Sequence, residues 1–259
     1  MSTNTNTSAL LSVNGLGVAV PAARKGSSQL LNDITFELRS GEIIAILGAN
    51  GAGKSTLISA LSGEIANHAG TISFDGRPLT SWSLESLAAR RALNATEPPV
   101  PFALSVTDYV ALGRPFDPTD VNDVSAALAE THATQWATRD VATLSSGEQT
   151  RVQLARSLYQ LADVPGCIWL LDEPCAHLDL AQRQFVLTLI ARIAKMRRWS
   201  VAFSTHDPAE ALQIGDQALL LREGRAVAFG AAAQVINPEQ LSACYGVSVA
   251  RGEGFVTRA

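Results

Sequence analysis

The chain has 259 residues, 47% of them hydrophobic and 17% charged, which excludes the low-hydrophobicity, high-charge regime of disorder and suits one large domain or a core with an insertion. Lys and Arg total 20 against 24 Asp and Glu, a net charge of -4, so no broad basic field is present to hold a nucleic-acid backbone, and no nucleic-acid partner is expected. No apolar run approaches the roughly 18 residues needed to cross a bilayer, and Cys167, Cys175 and Cys244 lack metal-ligand spacing and read as reduced, packed thiols.

In chain order, residues 1–9 read as a disordered tail, polar and without the basic start or apolar centre of a signal peptide, which makes the cytoplasm the default compartment. Residues 10–20 and 34–38 are β-like, with a small, polar hairpin loop over 21–28. Residues 43–47 form an apolar run continuous enough for a central strand buried on both faces, glycines follow at once, and helical periodicity resumes after Gly53 with Leu57, Ile58 and Leu61 on one side. A strand over 71–75 and an amphipathic helix over 83–91 come next, then an extended loop at Pro98, Pro99 and Pro101. From Val106 to about Ala162 the spacing is helical and predicts an insertion. Strands at 167–171, 200–204 and 217–221, with a helix over 182–195 between the first two, complete a strand–helix alternation that predicts a mostly parallel α/β sheet.

The chemistry concentrates at three places. Gly48, Ala49, Asn50, Gly51, Ala52, Gly53, Lys54 and Ser55 fit the phosphate-loop pattern G-x-x-x-x-G-K-[ST] between a predicted strand and a predicted helix that begins near Lys54 and Thr56. Glycines let successive amides turn toward a phosphate, the helix N-terminus adds its positive end, Lys54 is placed to reach the β- and γ-phosphates of ATP, and Ser55 to ligate Mg²⁺. Asp172 and Glu173 close the second buried strand at its carboxyl end, where ligands of open α/β sheets sit; Asp172 suits Mg²⁺ and Glu173 suits a general base. His206 follows the third strand and suits a donor to the γ-phosphate. An acidic strand end or a surface histidine alone would read as structural; the upstream phosphate loop makes them a set.

These residues, in this order, resemble the ATP-binding subunits of ABC transporters. The distinguishing segment is Leu144-Ser145-Ser146-Gly147-Glu148-Gln149, similar to the family signature L-S-G-G-Q, and Ala176-His177-Leu178-Asp179 looks like the family's D-loop. The resemblance covers nearly the whole chain. It implies a P-loop NTPase fold: a RecA-like mostly parallel sheet, an antiparallel β-subdomain and a helical subdomain about 97–160, all in one ATPase domain over 10–259. It further implies a head-to-tail dimer with a second copy, in which Ser145, Ser146, Gly147 and Glu148 contact ATP held by the partner's loop, while Asp179 couples the two sites.

Three departures stand out. Val20 occupies the position of the family's adenine-stacking aromatic, Thr96 with Glu97 beside it that of the Gln opening the helical insertion, and His177 a place where a small residue is commoner. Segments such as 110–114 and 152–158, and the late Cys244-Tyr245-Gly246-Val247, are most similar to haem-import ATPases of Gram-negative bacteria. That likeness implies a hydrolase on the cytoplasmic face of the inner membrane, bound to a permease dimer through Val100 and Phe102 and served by a periplasmic haem-binding protein. No residue here touches cargo, so an iron-siderophore or cobalamin importer, an efflux ATPase, and a soluble ABC-type ATPase of iron–sulfur assembly or DNA repair stay open.

Overall fold

A computed structural model of the chain describes residues 9–21, 27–95, 103–114, 121–161, 166–251 and 255–257. The expected tail up to Ser8, Thr96 and Glu97, and the docking residues Val100 and Phe102 lie outside them. Strands β1 (Leu11–Pro21) and β2 (Ser27–Leu38) pair antiparallel; β3 (Ile43–Leu47) runs through the glycine loop into α1 (Lys54–Leu61). Next come β4 (Ala69–Phe74), the short β5 (Arg77–Pro78), α2 (Leu84–Ala88) and β6 (Arg91–Asn94). Helices α3 (Val106–Ala111), α4 (Val121–Glu130) and α5 (Ser146–Leu161) then precede β7 (Ile168–Leu171). The remainder is α6 (Leu180–Arg197), β8 (Ser200–Thr205), α7 (Pro208–Ile214), β9 (Gln217–Arg222), β10 (Arg225–Ala231), α8 (Ala232–Val235), α9 (Pro238–Tyr245) and the hairpin of β11 (Val249–Arg251) with β12 (Phe255–Thr257).

The main sheet has strand order β10-β9-β3-β8-β7-β6, parallel from β9 to β6, with β10 antiparallel at one edge. Strands β3 and β7 are apolar at every residue because both faces of the sheet are covered. Ile44 and Ile46 join a core with β1, β2 and α1, whereas Ala45 and Leu47 join one built largely of α3 to α6. The same period-2 split sends Ile168 and Leu170 to the first core, and Trp169 and Leu171 to the second. Each fully buried Leu or Ile contributes about 1.5–3 kcal/mol on area grounds. A second sheet, β2-β1-β4-β5, lies on the α1 side. The three thiols are buried, and desolvation pushes Cys175 up to about 12 and Cys167 and Cys244 up to about 11, as inert packed cysteines require.

One expected element is divided. The helix read over 83–91 is confined to Leu84–Ala88, capped by the Ser83 hydroxyl accepting from Ser86 N–H, and Arg91 already belongs to β6. A helix this short gains little by propagating, and the hydrogen-bonding edge of β7 captures the next residues, burying Ala92 and Asn94.

The β9–β10 hairpin reaches the glycine loop. Glu223 and Gly224 are both left-handed (φ 50° and 75°), the geometry of a tight two-residue turn. Gly224 N–H donates to Ala52 O (3.0 Å) and Gly224 O accepts from Asn32 N–H (2.8 Å), so close that a Cβ would lie 2.3 Å from Leu30 O. Gly224→Ala should therefore cost about 1–3 kcal/mol and weaken nucleotide affinity through the displaced loop. The urea midpoint and nucleotide titration check this; an unchanged midpoint would show that the hairpin can withdraw freely.

Candidate active site

The loop after β3 is held from below by its own lysine. Gly53, N-terminal to α1, has φ 105°, and a Cβ there would meet Leu31 Cδ2 at 2.8 Å, so only glycine lets the chain turn into the helix at this distance from β2. Lys54 is 5% exposed; its Nζ donates to Gly48 O (3.0 Å) and Ala49 O (3.3 Å) and lies 3.3 Å from Glu173 Oε1. With the carbonyls engaged by the ammonium, the amides at the helix start are left to an anion. Ser55 and Thr56 stand in the first turn of α1.

Asp172 and Glu173 follow β7, beside the loop because β7 pairs with β8 and β8 with β3. Glu173 is itself left-handed (φ 47°), which turns its carboxylate back toward Lys54. A cleft of about 520 Å³ is lined by the loop, Ser55 and Thr56 together with Asp172, Glu173 and His177. Leu30 of β2, an apolar residue that no sequence motif singles out, lines it too. Of Val20 only the backbone is described, paired with Ser28. Ser55 and Asp172 offer one neutral and one anionic oxygen, a donor set that fits Mg²⁺, which binds few protein oxygens and fills its shell with phosphate and water. Among the described residues no group of three or more His, Cys, Asp or Glu is arranged to hold a metal alone.

His206 leaves β8 at the same edge, 63% exposed, with Nδ1 3.9 Å from Glu173 Oε2. It lines a neighbouring cleft of about 650 Å³ that also contains Asn50, Glu173 and His177. Tyr245 Oη donates to the His206 carbonyl at 3.0 Å, so α9 fixes the backbone of this turn.

The signature residues stand apart from the phosphate cleft. Ser145 and Glu148 form a reciprocal cap at the start of α5: Ser145 N–H and Oγ donate to Glu148 Oε2 (2.7 and 3.0 Å), which lowers the carboxyl's pKa chiefly through the backbone hydrogen bond. Gly147 is buried where a Cβ would meet Gln182 Oε1 at 2.5 Å. Ser146 alone of the four lines a third cleft, about 220 Å³, shared with Asp172 and Glu173. Asp179 is the N-cap of α6, accepting from Gln182 N–H at 2.8 Å. Asn94 Oδ1, buried beside that third cleft, accepts from Ser157 Oγ of α5 and from Trp169 Nε1 (2.9 Å). Asn94 and Ser157 read as ordinary element positions in the sequence and could not be paired from it.

A family profile described as ABC transporter matches residues 31–176. A hemin import ATP-binding protein of Methylobacillus flagellatus is 38% identical over 228 residues, covering 85% of each chain. Its counterpart from Pseudomonas entomophila is 39% identical over 245 residues, covering 93% of this chain and 94% of that one. Among solved structures, an inward-facing transporter described as of metal-chelate ABC type superposes with a TM-score of 0.79 at 27% identity, covering 97% of this chain and 98% of that one. A dimeric post-hydrolysis ATP-binding cassette bound to ADP and Pi, 19% identical with a TM-score of 0.76 and coverages of 86% and 98%, shares the fold.

Around His206 the charges are tied across two helices. Arg183 of α6 lies 3.0 Å from Asp207 Oδ2 and 3.3 Å from Glu210 Oε1, and Thr205 Oγ1 donates to Glu210 Oε2 at 2.6 Å. Glu210 is 6% exposed, and desolvation raises its pKa against the opposing pull of Thr205 and Arg183. Arg183→Ala would leave that carboxylate without its cation, at a cost of about 2 kcal/mol, below the ~3–5 kcal/mol of a fully buried pair because Arg183 is part-exposed. Glu210→Gln in the same chain should restore most of the loss. Denaturation of the single and double variants at pH 7 decides it; additive losses would mean the pair is not coupled.

Proposed function

The chain belongs to the ABC transporter family, and from that membership we propose that it is the ATP-hydrolysing subunit of an importer carrying haem across a bacterial inner membrane. The observation that carries the catalytic part is the single cleft shared by Lys54, Ser55, Asp172 and Glu173. The cargo rests on relatives near 38% identity that are themselves named for hemin import. A metal-chelate type transporter among the structural neighbours supports a second reading, an iron-siderophore or cobalamin importer.

In this reading the amides of Gly48 to Thr56 and the Lys54 ammonium bind the β- and γ-phosphates of ATP. Ser55 and Asp172 would hold Mg²⁺, which when bound supplies charge neutralisation to the phosphates. Glu173 accepts a proton from the water that attacks the γ-phosphorus, and ADP departs with the β–γ bridging oxygen. The Lys54–Glu173 contact of 3.3 Å holds that carboxylate aimed into the cleft. His206 donates to the γ-phosphate. Ser145, Ser146 and Gly147 of a second copy close the site from outside, with the helix N-terminus of α5 toward the anion, and Asp179 couples the two sites across the interface. Glu148 supports this by capping the helix that presents them. Val100 and Phe102, in an apolar, proline-flanked segment, dock a helix of the permease dimer, which places the subunit on the cytoplasmic face; a periplasmic haem-binding protein delivers cargo.

Glu173→Gln should keep ATP binding, lower turnover by at least the roughly 10²- to 10⁴-fold of general-base catalysis, and accumulate a dimer with ATP. Steady-state hydrolysis with sizing chromatography is the check, and near-normal turnover would overturn the base assignment. For the partner, Phe102→Asp should abolish pull-down of the permease and haem uptake into proteoliposomes while leaving ATP binding within about twofold, since a buried unpaired charge is not tolerated. Uptake of a siderophore or cobalamin in place of haem would select the second reading.

A further inference from the structure

Ser204, next to last in β8, is fully buried, and its hydroxyl touches both acidic residues of the site. It donates to Asp172 Oδ1 at 2.5 Å and accepts from Glu173 N–H at 2.8 Å. A hydroxyl has one proton and two acceptor lone pairs, so this arrangement spends its only proton on the carboxylate. Two things follow locally. The bond to Oδ1 fixes the rotation of the Asp172 carboxylate and therefore the plane in which Oδ2 lies. The bond from Glu173 N–H satisfies an amide that leaves the sheet where β7 ends at Leu171, and pins a non-glycine residue in the left-handed region (φ 47°), a conformation held only where the surroundings over-determine it.

We propose that Ser204 is a positioning residue that sets both acids at once, turning Asp172 for the divalent cation and Glu173 for the attacking water. The inference rests on the roles given to Asp172 and Glu173 under the proposed function. The strand is buried at all six positions, where apolar side chains are the rule, so burial alone does not call for a hydroxyl here. Serine lacks the branched side chain favoured in such strands, and its oxygen is used on both sides by the site.

The test uses the full chain with Ser204→Ala and Ser204→Cys, the second keeping nearly the original volume while replacing the hydroxyl by a weak hydrogen-bonding thiol. ADP affinity is measured by calorimetry in EDTA and in Mg²⁺, alongside the kcat and KM of ATP hydrolysis. Both variants should bind ADP in EDTA within about twofold of wild type, lose about tenfold of the tightening that Mg²⁺ produces, and fall 10- to 100-fold in kcat with KM for ATP little changed, the scale of losing an outer hydrogen bond to a metal-binding carboxylate. Wild-type Mg²⁺ response and kcat in both variants would overturn the proposal. So would an equal loss of ADP binding with and without Mg²⁺, or failure of both variants to fold, since the hydroxyl would then only support the strand. If wild-type ADP binding ignores Mg²⁺, or Glu173→Gln hydrolyses normally, the roles of the two acids fall and the inference falls with them; a responsive wild type beside silent Ser204 variants removes the inference alone.

Discussion

The parallel pairing of β3 with β8 and of β8 with β7 is the constraint on which the site depends. Leu47 lies opposite Thr205 and Leu171 opposite Phe203, so three strands leave the sheet on its carboxyl-terminal side within two residues of each other's register. The phosphate loop, the Asp172–Glu173 pair and His206 are the continuations of those three strands. Because both faces of the sheet are packed, the strand ends have little freedom to shift, and the short loops growing from them inherit that rigidity.

Within this frame the electrostatics are arranged before any phosphate arrives. A lysine 5% exposed is expensive to desolvate unless its charge is met, and Gly48 O, Ala49 O and Glu173 meet it. The same contacts orient the loop, since its carbonyls turn inward to the ammonium. Glu173 is held by two opposing restraints, its carboxylate by Lys54 and its amide by Ser204. Such preorganisation is what stabilises developing charge on a phosphoryl group without rearrangement at the moment of reaction.

Among the described residues, polar contacts tie the helices between β6 and β7 to this core. Asn94 joins α5 to β6 and β7 through a buried oxygen, and the close approach of Gly147 to Gln182 sets α5 against the start of α6. Asn94 O also accepts from Asp172 N–H at 2.7 Å, so the same residue that grips α5 ends the ladder beside the acid pair. A chain of hydrogen bonds therefore runs from Ser157 of α5 through Asn94 to the Asp172 amide.

The sequence by itself determined the fold class, the central strands and the placement of the phosphate loop, because continuous apolar runs followed by glycine or acidic residues are local patterns that the doubly covered sheet enforces. It also marked Asp172, Glu173 and His206 by their positions at strand ends. What only the tertiary structure decided is everything that depends on pairing across distance. The helix read over 83–91 takes in Arg91, the first residue of β6, and the rest of that strand carries no local signal, since the edge that captures it, β7, lies 77 residues further on in register, with Asn94 opposite Leu171. Ser204 looks like one small residue in a strand, and Arg183 and Glu210 like two separate surface charges, until the sheet brings β7 beside β8 and packs α6 against α7. Side chains that act through contact with a distant segment leave no periodicity of their own, and only the closed fold tells them apart from their neighbours.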